Sequence, residues 1–155
     1  MDCKVRLEQY LREQDVPFQV QHHPEVFTAQ EVAASEHVSG KQFAKVVMVL
    51  ADGKLIMLAL PAPKHVNLTN LKALLGAKDV RLATEEEFGL RFPGCDVGAM
   101  PPIGKLYDVP LYIDAGLAAG ETIRFQAGTH TDTISLALAD YTRVADAQVA
   151  ELAVA

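Results

Sequence analysis

Phe43-Ala44-Lys45-Val46-Val47-Met48-Val49-Leu50-Ala51-Asp52-Gly53-Lys54-Leu55-Ile56-Met57-Leu58-Ala59-Leu60 consists of two apolar runs joined by a two-residue turn signal. Asp-Gly suits a tight turn whose central residues both take positive φ, so this stretch predicts a β-hairpin. The runs are nearly continuous rather than alternating, which implies burial on two faces and a place at the centre of the sheet. Lys45 interrupts the pattern, on the same strand face as Phe43, Val47 and Val49. An unpaired buried ammonium is costly. Lys45 therefore either lays its stem over apolar surface with the amine in water or reaches into a polar cavity, and pattern alone leaves both open.

On the N-terminal side, Leu7 and Leu11 stand at i and i+4 with Tyr10 beside them, predicting a helix over residues 5–14 that Pro17 ends. Residues 18–21 alternate as a strand. Thr28-Ala29-Gln30-Glu31 has the form of a capping box, with a short helix expected to about Ser35. On the C-terminal side, Asn67 or Thr69 caps a helix carrying Leu71, Leu74 and Leu75, closed by Gly76. Residues 79–82 read as a short strand, and Thr84 with Glu87 repeats the capping box before a helix that stops by Pro93-Gly94. Residues 111–114, 122–125 and 134–136 read as strands, and Asp140 is expected to cap a last helix to near Leu152. Strands and helices mix without regular βαβ alternation. The expected class is therefore α+β, one domain over residues 1–155, with a mixed sheet that curls toward a partly open barrel flanked by helices.

The chain has 155 residues, half of them hydrophobic, enough for one core. Twenty acidic residues against 14 basic ones give a net charge of −6, which argues against broad nucleic-acid binding. A small footprint on one RNA end remains open. The first residues show no signal peptide, and the longest apolar runs fall far short of the roughly 20 residues of a spanning helix. Two cysteines, Cys3 and Cys95, form no Cys-x-x-Cys site and suggest no disulfide framework, so the expected setting is reduced and cytoplasmic.

The stretch Val97-Gly98-Ala99-Met100-Pro101-Pro102-Ile103-Gly104 combines freely turning glycines with stiff prolines. Such a loop either grips a phosphate, sugar or oxyanion with bare amides or simply connects two elements. Adjacent His22 and His23 would point to opposite faces of a strand, which disfavours a shared metal. His37 and His65 lie in polar surroundings and read as solvated. His130 sits in a Gly-Thr-His-Thr-Asp turn between strands, where side chains often line a cleft. No nucleotide-binding glycine motif, G-x-S-x-G elbow or cysteine nucleophile motif occurs. A hydrolase built from these parts would use water, with Lys45, the amides of the 98–102 loop and His130 around the ester.

These pieces resemble the YbaK/ProX family of aminoacyl-tRNA deacylases, which also occurs as the editing insertion of bacterial prolyl-tRNA synthetases. The strand lysine of Ala44-Lys45-Val46-Val47, the G-x-x-x-P loop from Gly98 to Pro102 and the Gly128-Thr129-His130 turn carry the likeness. Asn67-Leu68-Thr69-Asn70-Leu71 and Leu74-Leu75-Gly76-Ala77 extend it through the middle of the chain. Where many relatives have a Thr-Gly pair before the loop, this chain has Phe92-Pro93-Gly94-Cys95. The resemblance implies hydrolysis of the ester joining a wrong amino acid to the terminal adenosine of a tRNA, with the adenosine 2′-hydroxyl assisting a water. It implies catalytic roles for Lys45 and Gly98 and substrate contacts for Thr28, Ala99, Met100, Pro101, Pro102 and His130.

The expectation is a free-standing editing enzyme acting on proline tRNA that carries a wrong small amino acid, without metal or organic cofactor. Its partner is the aminoacyl-tRNA acceptor end, presented by a synthetase or elongation factor, with neither DNA nor membrane involved. A non-catalytic module binding an RNA end, nucleotide or protein through the same cleft is the rival, since function must be argued from the site rather than the fold. A cleft filled by large side chains would favour that rival. A general small-molecule esterase is a third reading, weakened by the lack of a nucleophile motif.

Overall fold

A computed structural model describes residues 2–26, 28–36 and 39–155. Its elements are α1 (Cys3–Glu13), β1 (Gln19–His22), α2 (Ala29–Ser35), β2 (Phe43–Ala51), β3 (Lys54–Pro61), β4 (His65–Val66), α3 (Leu68–Leu75), β5 (Val80–Leu82), α4 (Glu85–Phe88), β6 (Leu111–Asp114), α5 (Ala115–Ala118), β7 (Thr122–Gln126), β8 (Asp132–Ala137), α6 (Leu138–Ala145), β9 (Gln148–Ala150) and β10 (Ala153–Val154). Asp52 (φ 49°) and Gly53 (φ 81°) close the β2–β3 hairpin with the positive-φ pair the sequence called for. Local chemistry also sets the helix ends. Thr28 and Thr84 make both bonds of their capping boxes, and Asn67 and a left-handed Gly76 bracket α3.

The main sheet runs β1-β8-β7-β2-β3-β6-β9, with β5 on β2, while β4 and β10 form a separate pair. The hairpin is central. Met48, Met57 and Ala59 enter one hydrophobic cluster with Phe125, Ile134 and Tyr141, while Val49, Ile56, Leu58 and Leu60 pack on the other side with Leu71 and Leu152. The mixed α+β class follows, in an open sheet rather than a closed barrel: β1 and β9 end the order without meeting.

Two readings need correction. The last helix starts before Asp140 and stops at Asp146 (φ 51°), and the residues expected to prolong it form β9, parallel to β6. The cause is a distant carboxylate. Asp114 Oδ1 accepts from the amides of Leu152 and Ala153 at 2.9 and 3.0 Å and fixes the chain in an extended path. The second correction is a disulfide between Cys3 and Cys95, 92 residues apart in sequence. The fold lays the first turn of α1 against the loop after α4, where Cys3 N donates to Gly94 O.

Candidate active site

One edge of β2 carries two different strands. Phe43 and Ala44 pair with Arg124 and Phe125 of β7, whereas Val49 to Ala51 pair with β5. Between them the edge is left open at Lys45 and Val46. A cavity of about 230 Å³ occupies this split, lined by Thr28, Ala29, Phe43, Ala44, Lys45, Val46, Gly98, Met100 and Gln126. A larger, more open groove of about 520 Å³ elsewhere, beside Lys54 and Lys105, contains none of the residues singled out from the sequence.

Lys45 is half-buried and makes no hydrogen bond or ion pair with any described residue. Burial lowers its pKa from the ordinary lysine value, because desolvation disfavours the charged form. Thr28 accepts from Glu31 N at 3.1 Å through its side-chain oxygen, which leaves the hydroxyl proton for a ligand.

The 94–104 loop approaches from the opposite side. Gly98 takes φ 85°, a conformation that suits glycine, and presents an exposed backbone. Neither its amide nor that of Met100 donates to an acceptor among the described residues. The back of the loop is tied instead. Asp96 N donates to Gly128 O at 2.8 Å, Gly128 N to Ala99 O at 2.9 Å, and Tyr141 Oη to Pro102 O at 2.6 Å. Gly128 (φ 91°) lies so close to the disulfide that a Cβ there would stand 2.6 Å from Cys3 Sγ.

The structure thus brings Lys45, Gly98, Met100 and Thr28 to one cavity. Ala99, Pro101 and Pro102 are buried behind it as loop support. His130 also stands outside the cavity lining, its Nε2 donating to Val97 O at 3.0 Å and its ring 3.9 Å from the place of a Gly98 Cβ. The turn that carries His130 is held by Asp132, which accepts from Thr129 Oγ1 at 2.6 Å and pairs with Lys4 and His22. Burial pushes the Asp132 carboxyl up, but the bonds from Thr129, Thr131 and His22 and the Lys4 charge outweigh it and hold the pKa below the ordinary value.

His22, the last residue of β1, is exposed and His23 beside it is buried, and no metal-binding cluster occurs among the described residues. His65 is exposed, and His37 lies outside the described residues. No described helix is long and apolar enough to cross a membrane. The sequence reading missed Gln126, at the end of β7, which lines the cavity while only 6% exposed. Its signal was the alternation of Arg124, Phe125 and Gln126. That signal points to the cavity only once the pairing of β7 with β2 is known.

Residues 23–144 match the family described as the aminoacyl-tRNA editing domain. Proline–tRNA ligase of Bacillus subtilis (strain 168) is 34% identical over 98 residues, 63% of this chain and 17% of the ligase. The corresponding ligase of Nitratidesulfovibrio vulgaris (strain DP4) is 32% identical over 119 residues, 73% of this chain and 20% of the ligase. The chain thus spans about a fifth of the length of these curated relatives. A crystal structure described as a proposed trans-editing enzyme for prolyl tRNA synthetase superposes with a TM-score of 0.85 at 22% identity, covering 100% of this chain and 99% of the other. At that identity the likeness shows the fold.

Proposed function

This chain belongs to the aminoacyl-tRNA editing domain family, and from that premise we propose that it is a hydrolase acting in trans on mischarged aminoacyl-tRNA, most directly proline tRNA carrying a wrong small amino acid. The observation that carries this reading is the meeting, in one cavity at the split edge of β2, of a half-buried Lys45 and a Gly98 amide that have no partner among the described residues. The cavity is open rather than filled by large side chains, which favours hydrolysis over a purely binding role.

In this reading the terminal adenosine lies along the 98–102 loop and the aminoacyl group enters the cavity. Water adds to the ester carbonyl carbon, oriented by the adenosine 2′-hydroxyl. Charge gathers on the carbonyl oxygen and is met by the Gly98 and Met100 amides and the Lys45 ammonium. The bond from carbonyl carbon to ribose oxygen then breaks, and the ribose oxygen takes a proton. The products are the free amino acid and uncharged tRNA. No side-chain nucleophile is required. Contact with only the acceptor end suits a chain of net charge −6, and the proline-ligase relatives support proline tRNA as the substrate and a synthetase as the partner presenting it.

The test is hydrolysis of a panel of aminoacyl-tRNAs, including proline tRNA bearing alanine, cysteine or serine, by the wild type and Lys45→Ala. Selective hydrolysis is expected. The variant should fold and lose about 100-fold or more in kcat/KM, the scale on which a single stabilising donor acts. Failure of the folded wild type to hydrolyse any member would overturn the reading, and unchanged activity in Lys45→Ala would remove that residue from the site.

A further inference from the structure

The Cys3–Cys95 bond lies behind the 98–102 loop. Disulfides staple small domains that cannot build a sufficient core. This chain has 155 residues, half of them hydrophobic, and a core of its own. What surrounds the two sulfurs points to chemistry rather than stapling.

Their settings differ. Cys3, in the first turn of α1, is fully buried with Leu7 and Leu11, and Gly128 packs so closely on it that a Cβ there would stand 2.6 Å from Cys3 Sγ and 2.8 Å from Cys3 Cβ. Cys95 is only half-buried, with Pro93 and Gly94 before it and Asp96, Val97 and Gly98 after it all exposed. A thiolate from solution therefore meets the bond at Cys95, and Cys3 is the sulfur released. A donor for that leaving group is in place. Tyr107 Oη donates to Cys3 Sγ at 3.2 Å and lies 3.4 Å from Cys95 Sγ. A disulfide sulfur carries no proton, so the hydroxyl is the donor to either. Burial raises the Tyr107 pKa and keeps the hydroxyl protonated, while the Arg6 guanidinium stands 4.7 Å from the ring centre. A hydrogen bond to the departing thiolate lowers its basicity, and a less basic thiol leaves faster.

Resting on the editing reading, we propose that Cys3 and Cys95 form an exchange site for low-molecular-weight thiols and disulfides that regulates deacylation, the oxidised pair holding the loop in its working shape and the reduced pair releasing it. A thiolate RS⁻ attacks Cys95 Sγ, the sulfur–sulfur bond breaks, and its electron pair goes to Cys3 Sγ, which takes a proton from water. A second RS⁻ attacks the RS sulfur of the mixed disulfide and releases Cys95 as a thiolate. Two RSH are thus oxidised to RSSR while the protein pair is reduced to two thiols; oxidation by RSSR is the reverse. Two thiols cannot stay at bonding distance. Cys3 is held by the core and Gly128, so Cys95 takes up the separation. Gly98 follows three residues later. Asp96 N on Gly128 O and Gly128 N on Ala99 O, at 2.8 and 2.9 Å, clasp the backbone on either side of Gly98. Movement at Cys95 pulls on that clasp, and a misplacement of about 1 Å costs up to about 100-fold in rate.

The experiment holds the wild type in graded ratios of reduced to oxidised glutathione. It follows kcat/KM on the panel ester hydrolysed fastest, far-UV circular dichroism, and, by mass spectrometry after acid quenching, the cysteine that carries glutathione. Deacylation should fall about tenfold or more on reduction, with circular dichroism unchanged, and return on reoxidation. The adduct should sit on Cys95. Cys95→Ser should run at the reduced rate in every buffer. Tyr107→Phe should match the wild-type rate when oxidised but open several-fold more slowly, having lost one hydrogen bond to the leaving sulfur. Deacylation independent of the ratio would overturn the proposal while leaving the editing reading intact, as would a loss that tracks unfolding, which makes the bond a staple. Adducts confined to Cys3, or wild-type opening in Tyr107→Phe, count against the exchange site. No hydrolysis of any ester in any buffer removes both readings.

Discussion

Behind residues 94–102 nearly every group is tied down, whereas on the cavity side nearly none is. The rear of the loop is fixed by the Cys3–Cys95 disulfide, by paired backbone bonds to Gly128, by His130 on Val97 O and by Tyr141 on Pro102 O. Its front offers the amides of Gly98 and Met100, and across the cavity stands the Lys45 amine, none with a partner among the described residues. Unpaired donors are costly where a chain is free to rearrange. A rigid rear prevents the front from collapsing onto its own carbonyls, and that arrangement keeps donors ready for a ligand without reorganisation.

The strongest way to break this contrast is to open the disulfide. It closes a loop of 92 residues, so reduction should lower stability by up to about 4–5 kcal/mol in the chain-entropy account. Urea unfolding with and without a thiol reductant checks this. If the rear sets the front, deacylation should fall under conditions where the reduced protein is still folded; a large stability loss with no change in rate would separate the two sides. A finer cut is Tyr141→Phe. Tyr141 is fully buried and burial raises its hydroxyl pKa well above the ordinary range, so the group remains a neutral donor to Pro102 O. Removing it should cost about 1 kcal/mol and slow deacylation several-fold through a looser loop. A rate change matching wild type would show that the prolines hold the loop without it.

The two sides also differ in how far they could be read from sequence. Lys45, Gly98 and the capping threonines announce themselves locally: a charge in an apolar run, a glycine among prolines, an oxygen three residues before a glutamate. Asp52-Gly53 likewise fixes the hairpin through the φ values of two neighbours. The rear depends on long-range pairing. Nothing near Cys3 predicts Cys95, and nothing near Leu152 predicts that Asp114 will hold it in an extended path rather than a helix. Gln126 falls between these cases. Its strand was legible, but its place beside Lys45 follows from a parallel pairing between strands about 80 residues apart, a register that no local pattern encodes.

The mildest probe is pH, because it changes the charge of a front group without a substitution. Burial lowers the Lys45 pKa from the usual lysine value of 10.5. The folded chain thus releases this proton more readily than the unfolded one. Between the lowered value and the ordinary one the unfolded chain binds more protons, so stability rises with pH across that window, and the penalty is fully present below it. Activity moves the other way. If the ammonium meets the ester oxygen, kcat/KM corrected for spontaneous ester hydrolysis should fall on an alkaline limb that begins below the ordinary lysine range. Lys45→Arg keeps its charge throughout, so it should be slower at neutral pH through altered geometry yet lose that limb. A limb shared by wild type and Lys45→Arg would assign the ionisation to another group and leave Lys45 a positional role, its charge state irrelevant to the rate.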